Sequence, residues 1–226
     1  MIKRVFDIVL TSVGIILILP LSCIIPIWIK LDSKGPIFYR GNRVGKDGKI
    51  FKILKFRTMV RDAEVLGGSC TASKDPRITK AGKVLRKYKI DELPQLFNVL
   101  IGDMSLVGPR PDVPHYISKI PQEKRNILQL RPGITDWASI WNSCEQDVLD
   151  CYDDPDEAYE TIILPTKLNL QMKYLADHSL WVDLKILIFT LMKLFHDSWM
   201  PSELLDCLYP RNRQEKKLFV EPARHS

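Results

Sequence analysis

A chain of 226 residues is long enough for one or two domains and for a sizeable buried core. Its 46% hydrophobic and 27% charged residues match the globular average, which excludes a disordered or fibrous protein. The net charge of +6 is unevenly spread: residues 145–160 hold eight acids and no base, so the remainder carries a positive field suited to phosphates, nucleotides, anionic lipid or nucleic acid.

The first element is apolar. No charge falls between Ile8 and Ile29, whereas Lys3 and Arg4 precede that run and Lys30 and Lys34 follow it. A cleaved signal peptide fits poorly, because the apolar character continues past Pro20-Leu21-Ser22-Cys23 without a small-x-small site. A simple transmembrane span is long enough, but it must hold Pro20 and Pro26 and set basic flanks on both sides of the bilayer. A re-entrant helix-break-helix that dips into one leaflet and returns resolves both problems. Pro20 has no N–H to offer the carbonyl of Ile16, which puts the break there. The hydroxyls of Ser22 or Thr11 would meet the freed backbone groups. The chain then divides into a membrane segment over 1–34, a compact domain over 35–200 and a peripheral tail over 201–226.

Short alternating segments at Ile37–Arg40 and Ile50–Phe56 flank Gly45-Lys46-Asp47-Gly48, a β-hairpin signature because Asp-Gly tolerates positive φ. A polar stretch reaches Asp75. Lys80–Lys89 reads as an amphipathic helix, with Ala81, Val84, Leu85 and Tyr88 on one face and Lys80, Lys83 and Lys87 on another. A second helix covers Asp91–Ile101, with Leu93, Leu96, Phe97 and Leu100 as its buried stripe and Asp91, Gln95 and Asn98 as a polar face. Pro94 fits only its first turn, which sets Asp91 and Glu92 at the positive end of the helix. Arg110 stands between Pro109 and Pro111, and Arg131 precedes Pro132: both are stiff mounts for a guanidinium. Thr166–His178 is helical. Leu180–Phe195 is apolar but too short to span, and lies along an interface. The fold class is α+β, mostly helical. The five cysteines (Cys23, Cys70, Cys144, Cys151, Cys207) form no Cys-x-x-Cys pair, and the four histidines are dispersed, which argues against disulfides, zinc and a His-based metal centre.

Carboxylates among this many cations suit a reaction that brings a diphosphate to an anionic nucleophile, with arginines and a divalent metal neutralising the charge. Mg²⁺ is the natural ion, since it needs only one or two carboxylates and keeps several waters. A bare Asp-Glu pair is weak by itself, and Asp156-Glu157 is a second one. A non-catalytic membrane-surface module binding anionic lipid or nucleic acid would explain the charge, but not the proline-braced mounting of Asp91, Glu92 and Arg110.

Several motifs occur in order: Phe6-Asp7, Pro20, Lys55-Phe56-Arg57-Thr58-Met59, Asp91-Glu92-Leu93-Pro94-Gln95-Leu96-Phe97-Asn98-Val99, Gly102-Asp103-Met104-Ser105, Val107-Gly108-Pro109-Arg110-Pro111 and Arg131-Pro132-Gly133-Ile134-Thr135. Together they resemble the bacterial monotopic phosphoglycosyl transferases, sugar transferases that begin glycan assembly on a polyprenyl phosphate. The resemblance implies transfer of sugar-1-phosphate from a UDP-sugar to undecaprenyl phosphate with release of UMP. It implies Asp91 as the nucleophile that becomes an aspartyl-phosphosugar, Glu92 as its partner in holding Mg²⁺, and Arg86 and Arg110 on the phosphates. Lys55, Arg57 and Arg131 are further cationic candidates, and Asp183 a site organiser. It also implies a re-entrant membrane helix with a catalytic domain on the cytoplasmic face of the bacterial inner membrane. Membrane lipid is then a partner, nucleic acid is not, and a homodimer stays open. The sequence departs from the pattern at Leu19, at Asp136, over Trp141–Glu145 and through the acidic segment, which leaves the sugar open.

Overall fold

The computed structural model describes residues 1–66, 75–142, 149, 152, 154–196, 199–201 and 204. Helix α1 (Ile2–Asp32) is one uninterrupted run of 31 residues, roughly 46 Å at the α-helical rise. Pro20 and Pro26 both lie inside this helical run, so no non-helical residue separates two arms where the break was expected. The buried residues of α1 lie toward its two ends, Asp7 and Thr11 at one and Ile25 and Ile29 at the other, while Ile15, Ile18 and Ser22 between them are half-buried on the same face. Ser22 Oγ does donate to a carbonyl beside Pro20, that of Leu19 at 2.6 Å. The Thr11 hydroxyl does not help; it is buried without a hydrogen-bond partner among the described residues.

Both ends of α1 are fastened to the same body. At the start, Lys3 pairs with Asp183, Arg4 donates to the carbonyls of Val99 and Leu100, and buried Asp7 accepts from Ser105 Oγ (2.9 Å) and the Leu106 amide (3.2 Å). At the far end, Asp32 accepts the Ala81 amide at 2.9 Å. The opposite face exposes Val9, Val13, Ile16, Leu17, Leu19, Ile24 and Ile27. By length and composition α1 is able to cross a membrane.

Strands β1 (Phe38–Val44) and β2 (Ile50–Phe56) form the expected antiparallel hairpin, with Val44 opposite Ile50 and positive φ at Asp47 and Gly48. Beyond the short helix α2 (Ala63–Leu66), helix α3 (Lys80–Lys87) is capped by Thr79, whose hydroxyl accepts the Gly82 amide. It buries Ala81, Gly82 and Leu85 and leaves Val84 and Tyr88 exposed, so the expected stripe is rotated. A 3₁₀ turn (Ile90–Glu92) leads into α4 (Gln95–Ile101). Of the expected stripe, Leu93, Leu96 and Leu100 are half-buried, with Leu93 and Leu96 packed on the core clusters, and Phe97 is exposed. The polar face is the more deeply buried one: Asp91, Gln95 and Asn98 are enclosed beside β2 and the site.

Two three-residue strands, β3 (Ser105–Val107) and β4 (Gly133–Thr135), pair in parallel. Between them lie α5 (Pro114–Ser118) and a 3₁₀ segment, Gln122–Gln129. After α6 (Trp137–Trp141), a helical turn (Pro155–Ala158) and a π-helical stretch (Tyr159–Ile163) run directly into α7 (Leu164–Asp177), which is followed by α8 (Leu180–Phe195). The main core gathers Ile53, Val99, Met104, Val107, Trp137, Ile140, Tyr174 and Ile186. A second cluster joins Tyr116, Ile127, Tyr159, Ile163 and Leu168, and a third seats Ile25 and Ile29 of α1 on Phe56 and Leu85. Much of the acidic segment, 145–148 with 150, 151 and 153, lies outside the described residues. Its later part is helical, with Asp156 accepting the Tyr116 hydroxyl at 2.6 Å and Glu160 pairing with Lys119. Of the tail, only Pro201 and Leu204 are described, and Leu204 is buried in the main core. Cys23 is a free thiol; the other four cysteines lie outside the described residues.

Candidate active site

The 3₁₀ turn at Ile90–Glu92 is entered from Lys89, whose φ of 55° is a left-handed conformation unusual for a side chain this long. That reversal brings two adjacent carboxylates against β2 and the loop after β3. Asn98, one turn into α4, locks the arrangement: its Oδ1 accepts the Leu54 amide and its Nδ2 donates to the Lys52 carbonyl, each at 2.9 Å. The register of β2 against α4 is thereby set, and Lys55 reaches Glu92. Sequence reasoning saw Asn98 only as part of a polar face.

Glu92 is neutralised by two cations, with Oε2 accepting a single bond. Lys55 Nζ donates to Oε1 at 2.8 Å; Arg110 grips the carboxylate with both terminal nitrogens, Nη1 to Oε2 at 3.0 Å and Nη2 to Oε1. Arg110 reaches it from the Gly-Pro-Arg-Pro loop, which lies directly against Arg-Pro-Gly. The Gly108 amide donates to the Thr135 carbonyl and the Gly133 amide to the Pro109 carbonyl, both at 3.1 Å. A Cβ on Gly133 would sit 2.1 Å from the Gly108 nitrogen, so only glycine permits this approach.

Asp91 is the opposite case. It is buried, and its carboxylate accepts no hydrogen bond from any described residue. Burial raises its pKa above the ordinary 3.8; Lys55 opposes the rise and the Glu92 charge adds to it. Burial would raise Glu92 too, but the charges and hydrogen bonds of Arg110 and Lys55 outweigh it and hold Glu92 well below its ordinary range. Arg86 adds a third cation. Its Nε donates to Thr58 Oγ1 at 2.9 Å, and its terminal nitrogens have no hydrogen-bond partner among the described residues. Burial lowers its pKa and Asp91 counters that.

Lys55, Arg86, Asp91, Glu92 and Arg110 thus come together, as the sequence anticipated. Three other candidates do not. Arg57 is buried against the end of α1, donating to the carbonyls of Ser33 (2.7 Å) and Lys34 and to Ser33 Oγ (3.0 Å); it caps a helix, so its assignment to a phosphate is corrected. Arg131 is exposed and donates to the Gly102 carbonyl at 3.0 Å. Asp183 is buried with Lys3 and with the Tyr174 hydroxyl at 2.6 Å, anchoring the start of α1 and not the carboxylate pair. Pro20, exposed, and Ser22, half-buried, lie in the middle of α1, away from the carboxylate pair.

The donor set fits a small hard cation. Asp91 offers oxygens that no described residue hydrogen-bonds, next to Glu92. Among the described residues no cluster of three or more metal-ligating side chains exists, so such an ion would complete its shell with water and phosphate oxygen, the habit of Mg²⁺. The site thus sets a buried carboxylate, hydrogen-bonded to no described residue, beside Lys55 and Arg86, an arrangement able to receive an anionic group.

A family model described as bacterial sugar transferase matches residues 1–197. The UDP-N-acetylgalactosamine-undecaprenyl-phosphate N-acetylgalactosaminephosphotransferase of Aeromonas hydrophila is 39% identical over 195 residues, 84% of this chain and 43% of its own length. The UDP-glucose:undecaprenyl-phosphate glucose-1-phosphate transferase of Escherichia coli is 37% identical over 204 residues, 86% of this chain and 40% of its own. The enzyme of the same name from Caulobacter vibrioides is 36% identical, with 85% and 69% covered. The chain spans less than half the length of the first two.

Proposed function

The chain belongs to the bacterial sugar transferase family, and on that premise we propose that it is a phosphoglycosyl transferase, moving sugar-1-phosphate from a UDP-sugar to undecaprenyl phosphate with release of UMP as the first membrane step of glycan assembly. The observation that carries this reading is the asymmetry of the carboxylate pair: Glu92 neutralised by Lys55 and Arg110, Asp91 buried and unbonded beside it.

An Asp91 oxygen attacks the phosphorus that bears the sugar. The bond from that phosphorus to the bridging oxygen breaks, and UMP leaves with the electron pair. An oxygen of undecaprenyl phosphate then attacks the phosphorus of the aspartyl-phosphosugar, and the Asp91 carboxylate is regenerated. Each approach sets anion against anion, and Lys55, Arg86 and Arg110 lower that repulsion in a site partly screened from water. Asp91 and Glu92 would hold Mg²⁺, which when bound neutralises diphosphate charge. Fixing both ends of α1 to one body supports a monotopic arrangement on the cytoplasmic face of the inner membrane, with the exposed apolar face of α1 in lipid.

Detergent-solubilised protein given undecaprenyl phosphate, Mg²⁺ and a panel of UDP-sugars that includes glucose and N-acetylgalactosamine tests the reading. UMP release that disappears with Asp91→Asn or EDTA supports it. No turnover across the panel overturns it in favour of a lipid-binding module.

A further inference from the structure

We propose that Asp136 and Gln171 form a buried clamp on the backbone of Arg110, positioning residues that set the guanidinium holding Glu92; the inference rests on the transferase reading. Asp136 is fully buried and Gln171 nearly so. Asp136 Oδ2 accepts the Arg110 amide at 3.0 Å and Gln171 Nε2 at 3.3 Å. Gln171 Nε2 also donates to the Arg110 carbonyl at 3.3 Å. Both main-chain polar groups of Arg110 are therefore engaged by these two side chains.

The prolines on either side make this backbone contact the natural one for holding the residue. Pro109 and Pro111 carry no amide hydrogen, so between Gly108 and Asp112 the Arg110 amide is the sole main-chain donor. Helix capping explains only half of Asp136. Its Oδ1 caps α6, accepting the Ser139 amide and hydroxyl at 2.7 Å each, a task that serine or asparagine performs equally well. Among the described residues no cation pairs with Asp136, so a buried charge is maintained by donors alone, which is costly unless its second oxygen has a use. That oxygen is directed at Arg110. Lys167, one turn before Gln171 on α7, grips Asp112 at 2.6 Å, so the same helix face holds the loop at both residues.

Asp136→Asn separates the two roles, because its Oδ1 keeps the α6 cap while its amide group faces the Arg110 amide, donor to donor. We expect kcat to fall at least about tenfold while KM for the UDP-sugar changes less than about threefold, the signature of misplacement rather than lost binding. Ser139→Ala, which removes the hydroxyl donor to Oδ1 but leaves the cap amide and the contact of Oδ2 with Arg110, should keep kcat. In an Arg110→Ala background, Asp136→Asn should cost nothing further, and Gln171→Met should give a smaller loss with the same non-additivity. NMR-detected exchange at the Arg110 amide should accelerate in Asp136→Asn and not in Ser139→Ala. Wild-type kcat in Asp136→Asn, or a loss that multiplies with that of Arg110→Ala, overturns the proposal. If the unaltered chain turns over no UDP-sugar, the transferase reading fails, and the amide exchange still decides whether Asp136 fixes Arg110: unchanged exchange overturns it.

Discussion

Replacing Glu92 by Gln removes one negative charge from beneath two cations and turns one acceptor into a donor that faces Arg110. Breaking a buried ion pair from one side costs about 3–5 kcal/mol, because the stranded charges stay where they are. Here the Lys55 and Arg110 side chains are 20% and 30% exposed, so water relieves part of that penalty, and the low end, about 3 kcal/mol, applies. For a chain of this size that is a fall in melting temperature of about 6–12 °C. The loss should depend on pH in one direction. The folded-state pKa of Glu92 is depressed below its ordinary 4.5, so its stabilisation is complete above that value and disappears as pH falls through the folded pKa. Thermal unfolding of wild type and Glu92→Gln in detergent, followed from pH 7.5 down to pH 3.5, should show the largest gap at neutral pH and a narrowing one below about pH 4.5. Equal stability at pH 7.5, or a gap that does not narrow in acid, would refute the assignment of Glu92 as the neutralised partner.

Asp91 predicts the reverse sign. Its folded pKa is raised by burial, so at neutral pH its ionised form costs stability; Asp91→Asn should melt higher than wild type near pH 7.5, with the difference closing as acid protonates the wild-type carboxyl. Arg57→Met should lower stability by about 3 kcal/mol through lost charge-assisted bonds to the end of α1, yet leave KM for the UDP-sugar unchanged, as measured by unfolding and steady-state kinetics at low temperature. Gln95 is buried with neither amide atom bonded among the described residues, so Gln95→Met, similar in shape and apolar, should stabilise the protein by about 1–3 kcal/mol in the same unfolding assay.

Local chemistry was legible in the sequence where it dictates local geometry. Asp47-Gly48 specified the hairpin, Pro94 the start of α4, and the prolines around Arg110 a stiff mount that does reach Glu92. What escaped depends on partners distant in the chain. Arg57 reads as one more cation in a basic motif, and nothing local reveals that its acceptors are carbonyls at Ser33 and Lys34. Strands β3 and β4, three residues each, are too short for an alternation to register. Amphipathicity alone does not rank the two faces of the Asp91–Ile101 segment: Leu93, Leu96 and Leu100 are half-buried as the pattern suggests, but the polar residues Asp91, Gln95 and Asn98 are buried more deeply because they face the site and β2. Pro20 argued for a broken helix from local backbone chemistry alone. The helical run nevertheless passes through it, with the two ends of α1 tied to distant partners, Arg4 to Val99 and Leu100 and Asp32 to Ala81, that the local sequence does not show.

The account depends most on Asp91 becoming covalently phosphorylated by the sugar phosphate. Rapid-quench mass spectrometry of the protein mixed with Mg²⁺ and a turned-over UDP-sugar, with undecaprenyl phosphate withheld, reads this directly. A phosphosugar adduct should accumulate on the peptide containing Asp91 and vanish when the lipid acceptor is added. Robust turnover with no adduct on that peptide at any quench time would contradict the two-step scheme.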